Sequence, residues 1–167
     1  MAGAASFHTG SPDESRAFGR ALGELLGPGG FVALTGGLGA GKTVLVQGIA
    51  SGLGFDGCVS SPSFVIVSEY EGRFPIYHVD LYRVGTASDL EELGYREMFW
   101  GDGVTVVEWA ERAGDFLPDG RLDLEIEFAG PGARVIPAGA HGEGARAALD
   151  ALARVWPPRS RDAHPDD

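Results

Sequence analysis

The segment that most narrows the possible folds is Gly36-Gly37-Leu38-Gly39-Ala40-Gly41-Lys42-Thr43, which fits G-x-x-x-x-G-K-[ST]. A loop of this kind works between a strand and a helix. Its glycines let backbone N–H groups turn inward around phosphate oxygens with no side chain between. The helix that follows presents free N–H groups and the positive end of its dipole. The flanks meet this demand. Phe31-Val32-Ala33-Leu34 is a short apolar run of the buried-strand kind, and Val44, Leu45, Ile49 and Leu53 recur at helical spacing with Gly54 as the stop. Gly36, Leu38, Gly39, Ala40, Gly41, Lys42, Thr43 and Val44 are therefore the expected nucleotide-binding residues. Lys42, the only lysine in the chain, supplies a point charge for the terminal phosphates, and the Thr43 hydroxyl is placed to ligate Mg²⁺.

Patterning elsewhere predicts an α/β chain. Ser11-Pro12-Asp13-Glu14 reads as a capping box, opening a helix through Phe18, Leu22, Leu25 and Leu26 that ends at Gly27. Val65–Tyr70 and Ile76–Leu81 read as an antiparallel hairpin across Glu71-Gly72-Arg73. Ser88 and Glu91 repeat the capping-box spacing and predict a helix through Phe99. Val104–Val107 is a buried-type strand, Leu122–Phe128 alternates apolar and acidic residues, and Arg134–Ala138 can pair with it across Gly130-Pro131-Gly132. Ala145, Leu149, Leu152 and Trp156 predict a last helix over about residues 142–156, which closes a single domain over 1–156. The polar tail, 157–167, is expected to be disordered.

A phosphate-transferring site needs carboxylates for metal and water. Two predicted strands end in one: Ile76-Tyr77-His78-Val79 leads into Asp80, and Val104-Thr105-Val106-Val107 leads into Glu108. Glu108 follows the more apolar run and better suits a buried central strand. Ser60-Ser61-Pro62-Ser63-Phe64 offers hydroxyls in the position of a switch that senses a terminal phosphate, with an ordinary polar turn as the alternative.

Composition removes several classes. The formal charge of -11 repels phosphate backbones, which argues against extensive direct nucleic-acid binding. One cysteine, Cys58, allows neither an internal disulfide nor a cysteine zinc cluster. Residues 1–10 lack a secretory pattern, and no apolar run approaches the roughly 20 residues that span a bilayer, so a cytoplasmic protein with no membrane partner is expected. There is no asparagine, so the Asn-Lys-x-Asp element that reads guanine is absent and ATP is favoured. A small-molecule kinase would also suit the loop. Such enzymes need an arginine-bearing lid, and the stretch between Arg112 and Arg121 is short and acidic.

Gly36–Thr43 (GGLGAGKT), Ser61–Phe64 (SPSF), Tyr77–Arg83 (YHVDLYR), Glu91–Gly94 (EELG) and Val107–Arg112 (VEWAER) occur together in an order that resembles the TsaE family. This is the ATPase subunit of bacterial tRNA threonylcarbamoyladenosine biosynthesis, and the resemblance covers about residues 11–138. It implies a single-domain P-loop fold with a mixed sheet flanked by helices. It implies ATP and Mg²⁺ as cofactors, and hydrolysis that is slow alone and stimulated by partners. Those partners are TsaB and TsaD, which transfer threonylcarbamoyl to the adenosine beside the anticodon in tRNAs reading ANN codons; tRNA is met only through the complex. By resemblance, Glu108 is a metal-shell acid with Thr43, Asp80 is a metal-linked or water-activating acid, and Trp109 is a contact near the nucleotide or a partner, with a structural core Trp as the alternative; Ser61 and Ser63 are switch or partner-contact candidates. Arg134 sits where the C-terminal strand can return to the nucleotide. Two residues depart from the pattern: Gly37 replaces a usual Asp, and Ser63 replaces the Thr of SPTF. A nucleotide-sensing module, in which hydrolysis is incidental, is the alternative reading.

Overall fold

The computed structural model of the chain describes residues 4–60 and 66–160. Its elements are β1 (Ala4–Thr9), α1 (Pro12–Leu25), β2 (Phe31–Gly36), α2 (Lys42–Gly52), β3 (Val67–Glu71), β4 (Pro75–Asp80), α3 (Ala87–Glu92), α4 (Tyr95–Phe99), β5 (Val104–Glu108), β6 (Arg121–Gly130), β7 (Ala133–His141) and α5 (Glu143–Val155). Two single 3₁₀ turns follow β5.

Local chemistry explains the element starts. Ser11 accepts the Glu14 N–H at 3.1 Å, Glu14 accepts the Gly10 N–H at 2.6 Å, and Pro12 occupies the first turn of α1. The strands form one sheet in the order β1-β7-β6-β2-β5-β4-β3. Its centre is parallel, with β2 between β5 and β6 and β4 beside β5. Its margins are antiparallel: β3 on β4, β7 on β6 and β1 on β7. This is the expected mixed sheet. One face packs Val32, Leu34, Val106 and Leu124 against α1, α2 and α5. The other packs Phe31, Ala33, Val79 and Val107 against α3, α4 and the turns after β5.

The helices α1 and α2 meet backbone to backbone. A Cβ added to Gly48 would lie 2.1 Å from the Arg16 carbonyl oxygen, and one on Gly23 would lie 2.2 Å from that of Ile49. Gly19 and Gly52 make the same kind of approach. This contact sets the position of α2, whose first two residues are Lys42 and Thr43.

Four features differ from expectation. β1 is an edge strand where no strand was expected; Phe7 and Thr9 point inward, but the small residues Ala4, Ala5 and Ser6 before them leave its alternating pattern weak. The helix predicted from Ser88 to Phe99 is two short helices, separated at Gly94 in the left-handed region at φ 66°. Its capping box starts at Thr86, which accepts the Asp89 N–H, and not at Ser88. The start of the tail is ordered against β1: the Arg159 N–H donates to Ser6 O at 2.9 Å, and His8 Nε2 lies 3.1 Å from Ser160 O.

Candidate functional site

Three parallel strands deliver the site to one end of the sheet, where open α/β folds gather ligands. β2 runs into the glycine-rich loop, β4 ends at Asp80 and β5 ends at Glu108. The register pairs Asp80 with Glu108 and Glu108 with Leu34, so the two acids are neighbours in front of the α2 N-terminus. A cavity of about 430 Å³ opens there, lined by residues 38–44, Asp80, Glu108 and Trp109, and also by Tyr82 and Arg83.

The loop adopts backbone angles that only glycine takes easily: φ is 76° at Gly39 and 103° at Gly41. Lys42 is only 5% exposed and folds back on the loop. Its ammonium donates to Gly36 O at 2.7 Å and Gly37 O at 2.8 Å, and sits 4.1 Å from the centroid of the Trp109 ring. Burial pushes the Lys42 amine below its ordinary pKa, while the charges of Glu108, Glu111 and Asp80 pull it the other way. An anion entering the loop would supply the charge partner that two neutral carbonyls cannot.

Thr43 donates its hydroxyl to the Glu108 carboxylate, with oxygen separations of 3.1 and 3.3 Å. Glu108 is 3% exposed and also receives His78, whose Nε2 lies 2.5 Å from Oε2. Asp80 is buried and accepts the Tyr82 N–H at 2.9 Å. Trp109 has φ 58°, the one positive value at a non-glycine among the described residues. Such a conformation costs on the order of 1–3 kcal/mol and recurs at functional sites. Here the chain turns sharply off β5, and the turn lays the indole over Lys42. Tyr82 packs on that indole at 4.9 Å between centroids.

Other expected residues take different places. Arg134 reaches the loop backbone, with Nε donating to Ala40 O at 2.6 Å, and its guanidinium lies 4.4 Å from the centre of the Phe128 ring. Gly36 does not line the cavity. It packs on β6, where a Cβ would stand 2.7 Å from Ile126 O. Ser61 and Ser63 lie outside the described residues. The stretch between Arg112 and Arg121 is not a free lid, because Ala113, Phe116 and Leu117 pack into the second core. Sequence reasoning passed over His78. Its one signal was its place two residues before Asp80 on a strand, which puts both on the same face.

The donor set suits Mg²⁺ bound together with a nucleotide. Among the described residues no group of three or more His, Cys, Asp or Glu side chains could hold a metal alone. Mg²⁺ commonly takes one or two protein oxygens and completes its shell with phosphate and water. Thr43 and Glu108 are such a pair, directly beside the phosphate loop.

A strand–loop–helix carrying Lys42 and Thr43, with acids at the ends of the adjacent parallel strands, defines a P-loop nucleotide-binding protein of the ATPase class. Within that class the family model for threonylcarbamoyl adenosine biosynthesis protein TsaE matches residues 9–136, and the chain belongs to this family. The chain is 42% identical over 131 residues to the tRNA threonylcarbamoyladenosine biosynthesis protein TsaE of Bacillus subtilis, covering 78% of this chain and 82% of that protein. It is 37% identical over 126 residues to the protein of the same name from Treponema pallidum, covering 75% and 93%. The crystal structure of Bacillus subtilis YdiB superposes with a TM-score of 0.81 at 35% identity, over 93% of this chain and 97% of that one. No described helix is long and apolar enough to cross a membrane.

Proposed function

We propose that this chain is the ATP-binding and ATP-hydrolysing subunit that supports threonylcarbamoyl modification of the adenosine next to the anticodon in tRNAs reading ANN codons. It acts with TsaB and TsaD, in the cytoplasm, and meets tRNA only through them. Family membership supports the process. The observation that carries the hydrolytic reading is the contact of Thr43 with Glu108, beside Asp80, at the mouth of the phosphate loop.

In this reading the backbone of residues 38–41 and the N-terminus of α2 hold the phosphates, with Val44 behind them. Lys42 leaves the Gly36 and Gly37 carbonyls and takes the terminal phosphates. Thr43 and Glu108 would hold Mg²⁺, which would supply positive charge to neutralise the phosphate oxygens. Asp80 orients or deprotonates the attacking water. Trp109, which lies over Lys42, and Tyr82, packed on it, form one wall of the opening. Arg134 braces the loop from the far side through Ala40. With Gly37 in place of an acid, the Lys42 charge is left to the phosphates.

The test is ATP hydrolysis by wild type and Glu108→Ala, each with Mg²⁺ or chelator, and with and without TsaB and TsaD. The expected result is slow Mg²⁺-dependent turnover that rises with the partners and is lost in Glu108→Ala. No turnover under any condition would overturn the hydrolytic reading.

A further inference from the structure

His78 is a wholly buried polar side chain that the chemistry above leaves without a task. It sits on β4, and the pleat turns it to the same face as Asp80. Nε2 meets Glu108 Oε2 at 2.5 Å, while the same carboxylate receives the Thr43 hydroxyl. The other ring nitrogen, Nδ1, is buried with no hydrogen-bond partner among the described residues.

These contacts define the donor. An ionised carboxylate only accepts, so Nε2 carries the hydrogen. Nδ1 has no acceptor among the described residues, so Nε2 is the ring nitrogen through which His78 acts on the carboxylate. Thr43 and His78 are the two side chains that donate to Glu108 among the described residues. They differ in kind. The Thr43 hydroxyl lines the cavity and is the group a cation would draw away, whereas His78 is wholly buried and does not line it.

We propose that His78 is a positioning residue: its Nε2–H holds Glu108 in the orientation that meets Mg²⁺ when Thr43 turns from the carboxylate to the cation. The inference rests on the reading that Thr43 and Glu108 face the metal. A role limited to filling space would be served by any side chain of similar bulk. A positioning role needs a donor at the Nε2 position. Glutamine carries its amide nitrogen to about that point; leucine has the bulk without the donor.

The experiment is calorimetric titration of ADP into wild type, His78→Gln and His78→Leu at a series of Mg²⁺ concentrations and in chelator. Melting temperatures are recorded for each. In wild type, ADP affinity is expected to rise with Mg²⁺. In His78→Leu, affinity in chelator should be retained, while the Mg²⁺ midpoint moves up by about 10–100-fold, the usual effect of removing a group that orients a metal ligand. His78→Gln should recover most of that shift. If His78→Leu does not fold, His78→Asn takes its place, because its shorter amide cannot reach Glu108. An unchanged midpoint in the donor-less variant, or equal shifts in the donor-less and Gln variants, overturns the inference. A wild type with no Mg²⁺ dependence overturns instead the metal reading on which it stands.

Discussion

Replacing Gly48 with alanine sets two effects against each other. Alanine is favoured over glycine in a helix interior by about 1 kcal/mol. In an unobstructed helix the change would therefore stabilise. Here the added Cβ would stand 2.1 Å from Arg16 O and 2.9 Å from Arg20 N, both backbone atoms of α1. Carbon and carbonyl oxygen ordinarily approach no closer than about 3.3 Å, so the two helices must part by roughly 1 Å. No side chain can rotate to absorb this. Overpacking costs about 1–3 kcal/mol, and a backbone clash belongs at the upper end. After the propensity gain, a net loss of about 2 kcal/mol remains. For a chain of this size that lowers the melting temperature by about 4–8 °C.

The control is Gly144→Ala in α5, where an added Cβ meets nothing within 4 Å. It should raise the melting temperature by up to about 4 °C. Thermal unfolding followed by circular dichroism reads both variants. Because α2 begins at Lys42 and Thr43, Gly48→Ala should also weaken ATP binding while Gly144→Ala leaves it unchanged. Gly48→Ala melting at or above the wild-type temperature would refute the backbone-contact argument.

Three further outcomes are expected. Lys42→Ala should weaken ATP binding by about 1.5–3 kcal/mol, the value of a charge-assisted contact, and unchanged affinity in a calorimetric titration would remove the lysine from the phosphate site. Glu108→Gln should lower ATP turnover far more than nucleotide affinity in chelator, since the change keeps the shape and removes the charge; equal losses in both would assign Glu108 to binding alone. Burial lowers the Lys42 pKa in the free protein, and a bound phosphate raises it again. Binding should then take up protons as pH climbs past the free-protein value, so ATP affinity should fall across that alkaline range. Titration in buffers of different ionisation heat detects the uptake, and its absence well above neutral pH would contradict the assignment.

The parts that could be read directly were those whose signal is short. The loop from Gly36 to Thr43, the strand before it and the helix after it are one continuous run in which each residue type answers a local steric or electrostatic demand. The hairpin of β3 and β4 and the Ser11 cap are of the same kind. Misreadings came where a local signal was ambiguous or weak. Ser88 and Thr86 both carry a hydroxyl ahead of an acidic residue, and only the backbone at Thr86, extended at φ -138°, makes a cap of it. β1 has two inward positions among small residues, and its pairing with β7 joins segments more than a hundred residues apart.

By itself the sequence determined the phosphate loop, the acids Asp80 and Glu108 at their strand ends, and the family. These follow from contiguous motifs and from strand ends that a period of two makes visible. Only the tertiary structure decided which groups meet. Thr43 reaches Glu108 across 65 residues of chain, and Arg134 reaches Ala40 across 94. Trp109 covers Lys42, His78 Nε2 meets the Glu108 carboxylate, and α1 seats α2 on bare glycine backbone. Each of these depends on sheet order, on strand register or on how closely two helices pack. Those quantities are set by the burial of the whole core, and no local run of residues encodes them.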